Sequence, residues 1–296
     1  MDERLKAHLD LAAVDDREFV RRAYRLVLRR DPEAEGEERA LARLGDATLS
    51  RATLLHELAA SEEFAGVRAL DDAITHARWA RARGERPREL RAPAFLDPRA
   101  IEVPWVLARC GGERRVLDTG YAYAEAPYLA ALVALGAQEL VGVDLAERAV
   151  PGLRGVVGDL RALPFPDSAF DLVLSVSTLE HVGADGTVYG HGDERDESGI
   201  AQALRELRRV LAPAGRLLVT LPLGESGHHG WYVRLDLDAW HELFAAAGFG
   251  VFEEEGYGRD GGGWRAEPLP GGELLCAELR PRRVGDRLRR RLSGRR

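Results

Sequence analysis

Between Arg115 and Pro222 the chain alternates short runs of valine and leucine with stretches of helical period. No other feature limits the available folds as strongly. "RRVLDTG", "ELVGVDL", "RGVVGDL", "FDLVLSVS" and "RLLVTLP" read as strands with no wet face, and "APYLAALVALG" and "GIAQALRELRRVLAPAG" read as the helices between them. Near-continuous apolar strands joined through helices imply a parallel sheet covered on both faces, because a half-exposed strand would alternate polar with apolar residues. The pattern continues with a helix in "LDAWHELFAAAGF", a strand in "GVFEEEGY" and a closing strand or hairpin in "WRAEPLPGGELLCAELRP". "DPRAIEVPWVLARCGG" supplies a short helix ahead of the first strand, stopped by Gly111 and Gly112. The expected body is therefore an α/β domain over residues 96–280.

The first third is expected to be a small all-α domain, residues 1–66. In "DREFVRRAYRLVLRRDPEAEG", Phe19, Ala23, Leu26 and Val27 form one apolar stripe. Asp16 is a candidate N-cap, Asp31-Pro32 stops the helix, and Gly36 opens a loop. Gly45 is expected to end a second helix, Ser50 to cap a third, and "SEEF" at Ser61 to begin a last short turn. A charged helix and the Pro/Arg-rich "RGERPRELRAPAF" make a linker over 67–95, and residues 281–296 form a basic tail.

The net charge of −7 gives no reason to expect a nucleic-acid partner. Arg280, Arg282, Arg283, Arg287, Arg289, Arg290, Arg291, Arg295 and Arg296 crowd the last stretch against Asp286. A helix there would align Val284, Leu288 and Leu292, so weak, salt-sensitive contact with anionic lipid is expected through this tail. Cys110 and Cys276 are expected to be reduced, buried thiols, and no metal spacing surrounds them. The charged N-terminus and the lack of any long apolar run suggest a cytoplasmic protein, peripheral at most to the inner membrane face.

Ligands of such sheets bind at the carboxyl ends of the strands. The first strand ends at Asp118-Thr119-Gly120, the second at Asp144, the third at Asp159-Leu160 and the fourth at Ser175-Val176-Ser177. A carboxylate after the second strand suits two vicinal ribose hydroxyls, and one after the third can accept from an exocyclic amine. Three acids on one edge, beside a loop poor in glycine, would repel a pyrophosphate. The expected ligand carries a nucleoside, no phosphate and a positive charge, and S-adenosylmethionine meets all three conditions.

"VLDTGYAYAE", "LVGVDLA", "GDLRALPFPDSAFDLVLSVSTLEHV" and "ALRELRRVLAPAGRLLVTLP" make residues 98 to about 265 resemble a class I S-adenosylmethionine-dependent methyltransferase of the type 11-like group. The resemblance implies a Rossmann-like fold. It also implies that Asp118 and Gly120 lie against the methionine part, that Asp144 holds the ribose hydroxyls, and that Leu145 beside it is cofactor-binding. By the same resemblance Asp159 and Leu160 hold the adenine, and Ser175 to Ser177 line the floor near the sulfonium. The family's Gly-x-Gly-x-Gly loop here reads Gly120-Tyr121-Ala122-Tyr123-Ala124, with both replacements small. Packing is the favoured role for Tyr123. "FVRRAYRLVLRRDPEAEG" and "LSRATLLHELAASEEF" resemble a small helical domain of unknown function found beside bacterial surface-polysaccharide enzymes. That second resemblance implies an accessory role, with a protein partner for the helices.

An oxygen acceptor would benefit from a general base. His181 after "LE", and His228 and His229 in "GESGHHGWYV", are the candidates. The polar insertion 183–199 is expected to be a lid without metal, and Trp231, Tyr232 and Trp264 to stack on an acceptor or to pack in the core. The acceptor is expected to be a small molecule or a saccharide. Two rival readings stand beside this one. A nicotinamide oxidoreductase lacks its Gly-x-Gly-x-x-Gly here. A catalytically weak, methyltransferase-like binding module in a surface-polysaccharide assembly would explain the altered loop.

Overall fold

The computed structural model describes residues 14–85, 90–187 and 195–282 and divides the chain into two compact units, Met1–Asp72 and Ala73–Arg296. The expected boundary at residue 66 is displaced, because one helix, α4 (Glu62–Ala82), runs through it without a break. "SEEF" thus begins a long helix rather than a short turn: the Ser61 hydroxyl accepts from Phe64 N at 3.1 Å and starts it cleanly.

The first unit packs α1 (Asp16–Leu28), α2 (Ala34–Gly45) and α3 (Arg51–Ala59) around Phe19, Val20, Ala23, Leu28, Ala40, Leu49, Leu54 and Leu58. Asp15 rather than Asp16 caps α1, accepting from Glu18 N at 2.9 Å, and Ser50 caps α3. Gly36 lies inside α2 instead of opening a loop. Leu26 is about half exposed while Leu28 is buried, so the inward stripe is rotated by part of a turn from the expected one.

In the second unit an eight-stranded sheet has the order β3-β2-β1-β4-β5-β10-β8-β9. Its parallel half comprises β1 (Arg115–Thr119), β2 (Glu139–Asp144), β3 (Arg154–Val157), β4 (Phe170–Val176) and β5 (Leu211–Pro222). Beyond it β10 (Leu274–Pro281) runs antiparallel between β5 and β8 (Phe249–Asp260), and β9 (Gly263–Glu267) closes the edge. The expected closing segment is thus not a hairpin: β9 and β10 do not pair with each other, because both lie against β8, one on either side of it. A separate two-stranded ribbon joins β6 (Gly227–His228) to β7 (Val233–Arg234).

Helices cover both faces. On one side α5 (Arg99–Arg109) and α6 (Ala126–Val133) touch each other, and α5 meets β4 and β5. On the other, α7 (Gly199–Val210) meets β5 and α8 (Leu237–Ala246) meets β8. The helix expected to reach Gly215 stops at Val210, since Pro213 has no N–H to continue it and β5 begins at Leu211 instead. Trp240, Phe244 and Phe249 fill the core beside Leu207, Leu217 and Val219, all nearly inaccessible. Cys110 and Cys276 are free and buried, and burial pushes the Cys110 thiol up to about 12.

No helix among the described residues is long and apolar enough to cross a membrane. Most of the basic tail, residues 283–296 with Val284, Leu288 and Leu292, lies outside the described residues, as does part of the 183–199 insertion. With so large a core of its own, a chain of residues 73–296 is expected to melt in one cooperative transition. Calorimetry on that shortened chain checks this; a broad, non-cooperative melt would mean that the first unit is needed for folding.

Candidate active site

The parallel half of the sheet reverses its strand order between β1 and β4. Loops leaving neighbouring strands there turn opposite ways and open a crevice at the carboxyl edge. A cavity of about 650 Å³ occupies that place, within the range of small-molecule sites.

The loop after β1 carries its strain at one residue. Gly120 has φ 84°, and its N–H donates to Val143 O at 2.9 Å. A Cβ there would stand 2.6 Å from the Thr178 hydroxyl. Ala124 has φ −71° and Ala122 is not left-handed, so neither alanine occupies a position that demands glycine. The loop is pinned instead by side chains. Arg148 donates to Ala122 O at 3.2 Å and to Ala124 O at 2.5 Å, and Ala122 N donates to Asp144 Oδ2 at 3.0 Å.

Of the residues expected at the cofactor, Asp118, Gly120, Ala124, Asp144, Leu145, Asp159 and Leu160 line the cavity. Ala122 does not; its amide serves the Asp144 carboxylate. Ser175 does not either. It pairs with Thr119 and Val219 inside the sheet and is fully buried, so the floor is made by Val176, the last rung, and by Ser177 and Thr178 just beyond it. Ser177 leaves the strand with φ 44°, a conformation costing about 1–3 kcal/mol for a non-glycine residue. Its N–H donates to the Thr220 hydroxyl at 3.0 Å and its hydroxyl to Glu102 Oε1 at 2.6 Å, which hold it there. Tyr123, expected to pack, is instead about half exposed and lines the cavity, while Tyr121 is buried against Gly142 and Gly155.

Asp118 and Asp159 differ in state. Asp118 is buried and accepts from the Tyr128 hydroxyl at 2.5 Å. Burial, with a smaller push from Asp144, raises it to about 7 despite that hydrogen bond. Asp159 also feels burial, but hydrogen bonds from Arg161 outweigh it and its pKa is lowered. Arg161 grips Asp159 through Nη2 at 2.7 Å and Nε at 3.0 Å, and reaches Asp196 at 3.1 Å. The carboxylate expected to meet an exocyclic amine is therefore already paired with a guanidinium.

His181 lines the cavity from the short turn Leu179–His181 after β4. Its ring stacks on Trp231 at 4.9 Å, and Nδ1 lies 2.9 Å from Trp231 O. A carbonyl only accepts, so Nδ1 carries the hydrogen and the neutral ring's lone pair sits on Nε2. Burial lowers the His181 pKa, with Arg99 acting the same way against the Trp231 carbonyl, so the ring is neutral at pH 7. His228 and His229 are exposed on and beside the β6–β7 ribbon and do not line the cavity; His229 stacks on Tyr232 at 5.0 Å. The ribbon's turn directs them outward. Trp264 is core, donating to Leu96 O at 2.8 Å. Among the described residues no group of three or more His, Cys, Asp and Glu is placed to hold a metal ion.

The residues missed from sequence are Arg99, Glu102, Tyr128, Arg148 and Arg161. Glu102 had a readable signal, a lone acid inside the apolar run "AIEVPWVLA".

Residues 117–219 match the family described as "Methyltransferase domain", and residues 7–67 match "Domain of unknown function (DUF4214)". The chain is 35% identical over 98 residues to EEF1A lysine methyltransferase 4 of Bos taurus, covering 29% of this chain and 36% of that protein. It is 31% identical over 124 residues to the uncharacterized methyltransferase YcgJ of Bacillus subtilis, covering 38% and 42%. It is 28% identical over 193 residues to a probable S-adenosylmethionine-dependent methyltransferase of Mycolicibacterium smegmatis, covering 60% and 67%. The chain spans about two fifths of the length of the first two relatives. Over the strands that build the cavity the chain is thus similar to the methyltransferase-domain family, and ahead of them to a domain whose function is unknown.

Proposed function

We propose that this chain is an S-adenosylmethionine-dependent methyltransferase acting on a small-molecule or saccharide acceptor, with oxygen as the acceptor atom. The observation that carries the reading is one cavity at the strand-order reversal that gathers Asp118, Gly120, Asp144, Leu160, Ser177 and His181. The cofactor supplies a methyl group on a positively charged sulfur. The chain's own residues fit such a ligand. Among the described residues five acids against three arginines line the cavity, a balance suited to a nucleoside bearing positive charge and ill suited to a pyrophosphate.

In this reading Asp144 accepts from the ribose hydroxyls while its other contact orients the first loop. Leu145 and Leu160 flank the base, with Asp159 positioned by Arg161 beside it. Gly120 and Ala124 let the backbone approach the ligand closely. Val176, Ser177 and Thr178 form the floor beneath the reacting centre. His181, neutral with its Nε2 lone pair, accepts the proton of a hydroxyl acceptor; His228 and His229 have no part. The saccharide acceptor, a protein partner for the N-terminal helices and lipid contact of the tail rest on sequence alone.

Titration calorimetry with S-adenosylmethionine tests the reading. One-to-one binding is expected. No heat and no rise in melting temperature at millimolar ligand would reject it, since a ligand at 100 times its Kd stabilises by about 2.7 kcal/mol.

A further inference from the structure

Behind the cavity floor lies more acid than the neighbouring contacts neutralise. Glu102, on the inward side of α5, is wholly buried; Oε1 accepts from the Ser177 hydroxyl at 2.6 Å, and Oε2 has no hydrogen-bond partner among the described residues. Glu180, between cavity residues Leu179's neighbour Thr178 and His181, is 4% exposed, and its Oε2 likewise has no partner among them. A buried carboxylate that keeps an oxygen without a hydrogen bond is costly, and core packing gives no reason to keep two.

The charged and titratable groups facing the pair leave it short of positive charge. Arg99 acts on both acids but also pairs with Glu125 at 3.3 Å. Asp97 adds negative charge near Glu102 from the start of α5, and the Cys276 thiol on β10 is in its field. Thr220 on β5 and Ser177 contribute hydroxyls, and His181 is neutral. Burial raises Glu102, and burial with the nearby Glu102 raises Glu180 to about 8, so the pair retains a proton at neutral pH.

We propose that the Glu102–Glu180 pair behind Ser177 is the countercharge for a cationic group bound in the cavity, the sulfonium of S-adenosylmethionine, and that it separates this cofactor from its neutral product, S-adenosylhomocysteine. The proposal rests on the cofactor reading above. A positive charge at the floor favours the ionised pair. One carboxyl O–H bond breaks, the electron pair stays on oxygen and the proton passes to solvent. When the neutral thioether occupies the cavity, the pair takes that proton back and the attraction is gone. The sign follows from linkage: cation binding releases a proton, so affinity for the charged ligand rises with pH up to the free pair's pKa, by at most about tenfold per pH unit for one proton.

The test is titration calorimetry of the full chain with S-adenosylmethionine and with S-adenosylhomocysteine between pH 6 and 8. Two buffers of different ionisation enthalpy are used, and each ligand's own amine titration is subtracted. The charged ligand is expected to release about half a proton more than the neutral one near pH 7, with their affinity ratio rising several-fold across the range. Glu102→Gln and Glu180→Gln, which mimic the protonated acids in shape, are expected to remove both differences while still melting cooperatively. Equal proton release by the two ligands in the wild type would overturn the proposal without reference to any variant. So would variants that fold and keep the wild-type difference. Failure of the wild type to bind either ligand would overturn the cofactor reading and the pair's role with it, whereas binding with equal proton release sinks the pair's role alone.

Discussion

Asp144→Ala is expected to weaken S-adenosylmethionine binding by at least tenfold while the chain still melts cooperatively. Asp144 ends β2 at the cavity edge, and its Oδ2 already accepts from Ala122 N at 3.0 Å. The side chain is therefore held in place before any ligand arrives, which limits the entropy lost on binding. Removing hydrogen bonds to a charged acceptor costs about 1.5–3 kcal/mol, or roughly 10- to 150-fold in affinity. Loss of the anchor for the first loop adds to this. Asp144→Asn is expected to fall in between, since one amide oxygen remains but a bidentate contact with two hydroxyls does not. Calorimetry on the three proteins measures it, with a thermal melt as the folding control. Unchanged affinity in a well-folded alanine variant would remove Asp144 from the ribose site.

Gly120→Val is expected to damage both stability and cofactor binding. The left-handed backbone at φ 84° costs a residue with a Cβ roughly 1–2 kcal/mol. The new Cβ would also meet the Thr178 hydroxyl at 2.6 Å and its methyl at 3.0 Å. Thr178 has little room to yield, because its Oγ1 lies 3.0 Å from the carbonyls of both Thr119 and Val176. Overpacking of this kind adds about 1–3 kcal/mol, so melting is expected to fall by roughly 5–15 °C. Ala124→Gly is the matched control. Its φ of −71° is ordinary, so a glycine there adds freedom without relieving strain and is expected to leave binding no better. A Gly120→Val protein that melts and binds like wild type would show that the loop is free to shift. A gain in affinity from Ala124→Gly would show that the alanines do limit the loop.

Much of the molecule was open to reading before any coordinates, and for a simple reason. A strand buried on both faces must be apolar along its whole length, and a helix laid on it must repeat near 3.6 residues, so "VLDTG", "LVGVDL" and "LVLSVS" mark themselves. Asp118 and Asp144 stand at the carboxyl ends of their strands, where the sheet opens onto the cavity. The same local logic misplaced residues wherever two neighbours in sequence had to be told apart. Ser175 and Ser177 share a chemistry and nearly an address, yet one is a rung of the sheet and the other is the floor of the cavity. Tyr121 and Tyr123 lie two residues apart on one short turn, and that separation decides which ring packs.

The chain's amino-acid order by itself determined the α/β class, the helical N-terminal unit, and the edge of the sheet at which acids gather, because these follow from period and polarity within a few residues. Only the tertiary structure decided the rest. Arg148 pins the loop that lacks its glycines, Arg161 grips Asp159, and His181 rather than His228 or His229 faces the cavity. Glu102, 75 residues before Ser177, comes to lie directly behind it. Each of these depends on which loop turns inward and which side chain loses its water. Burial of that kind is settled by contacts between segments far apart in the chain, and no local pattern records them.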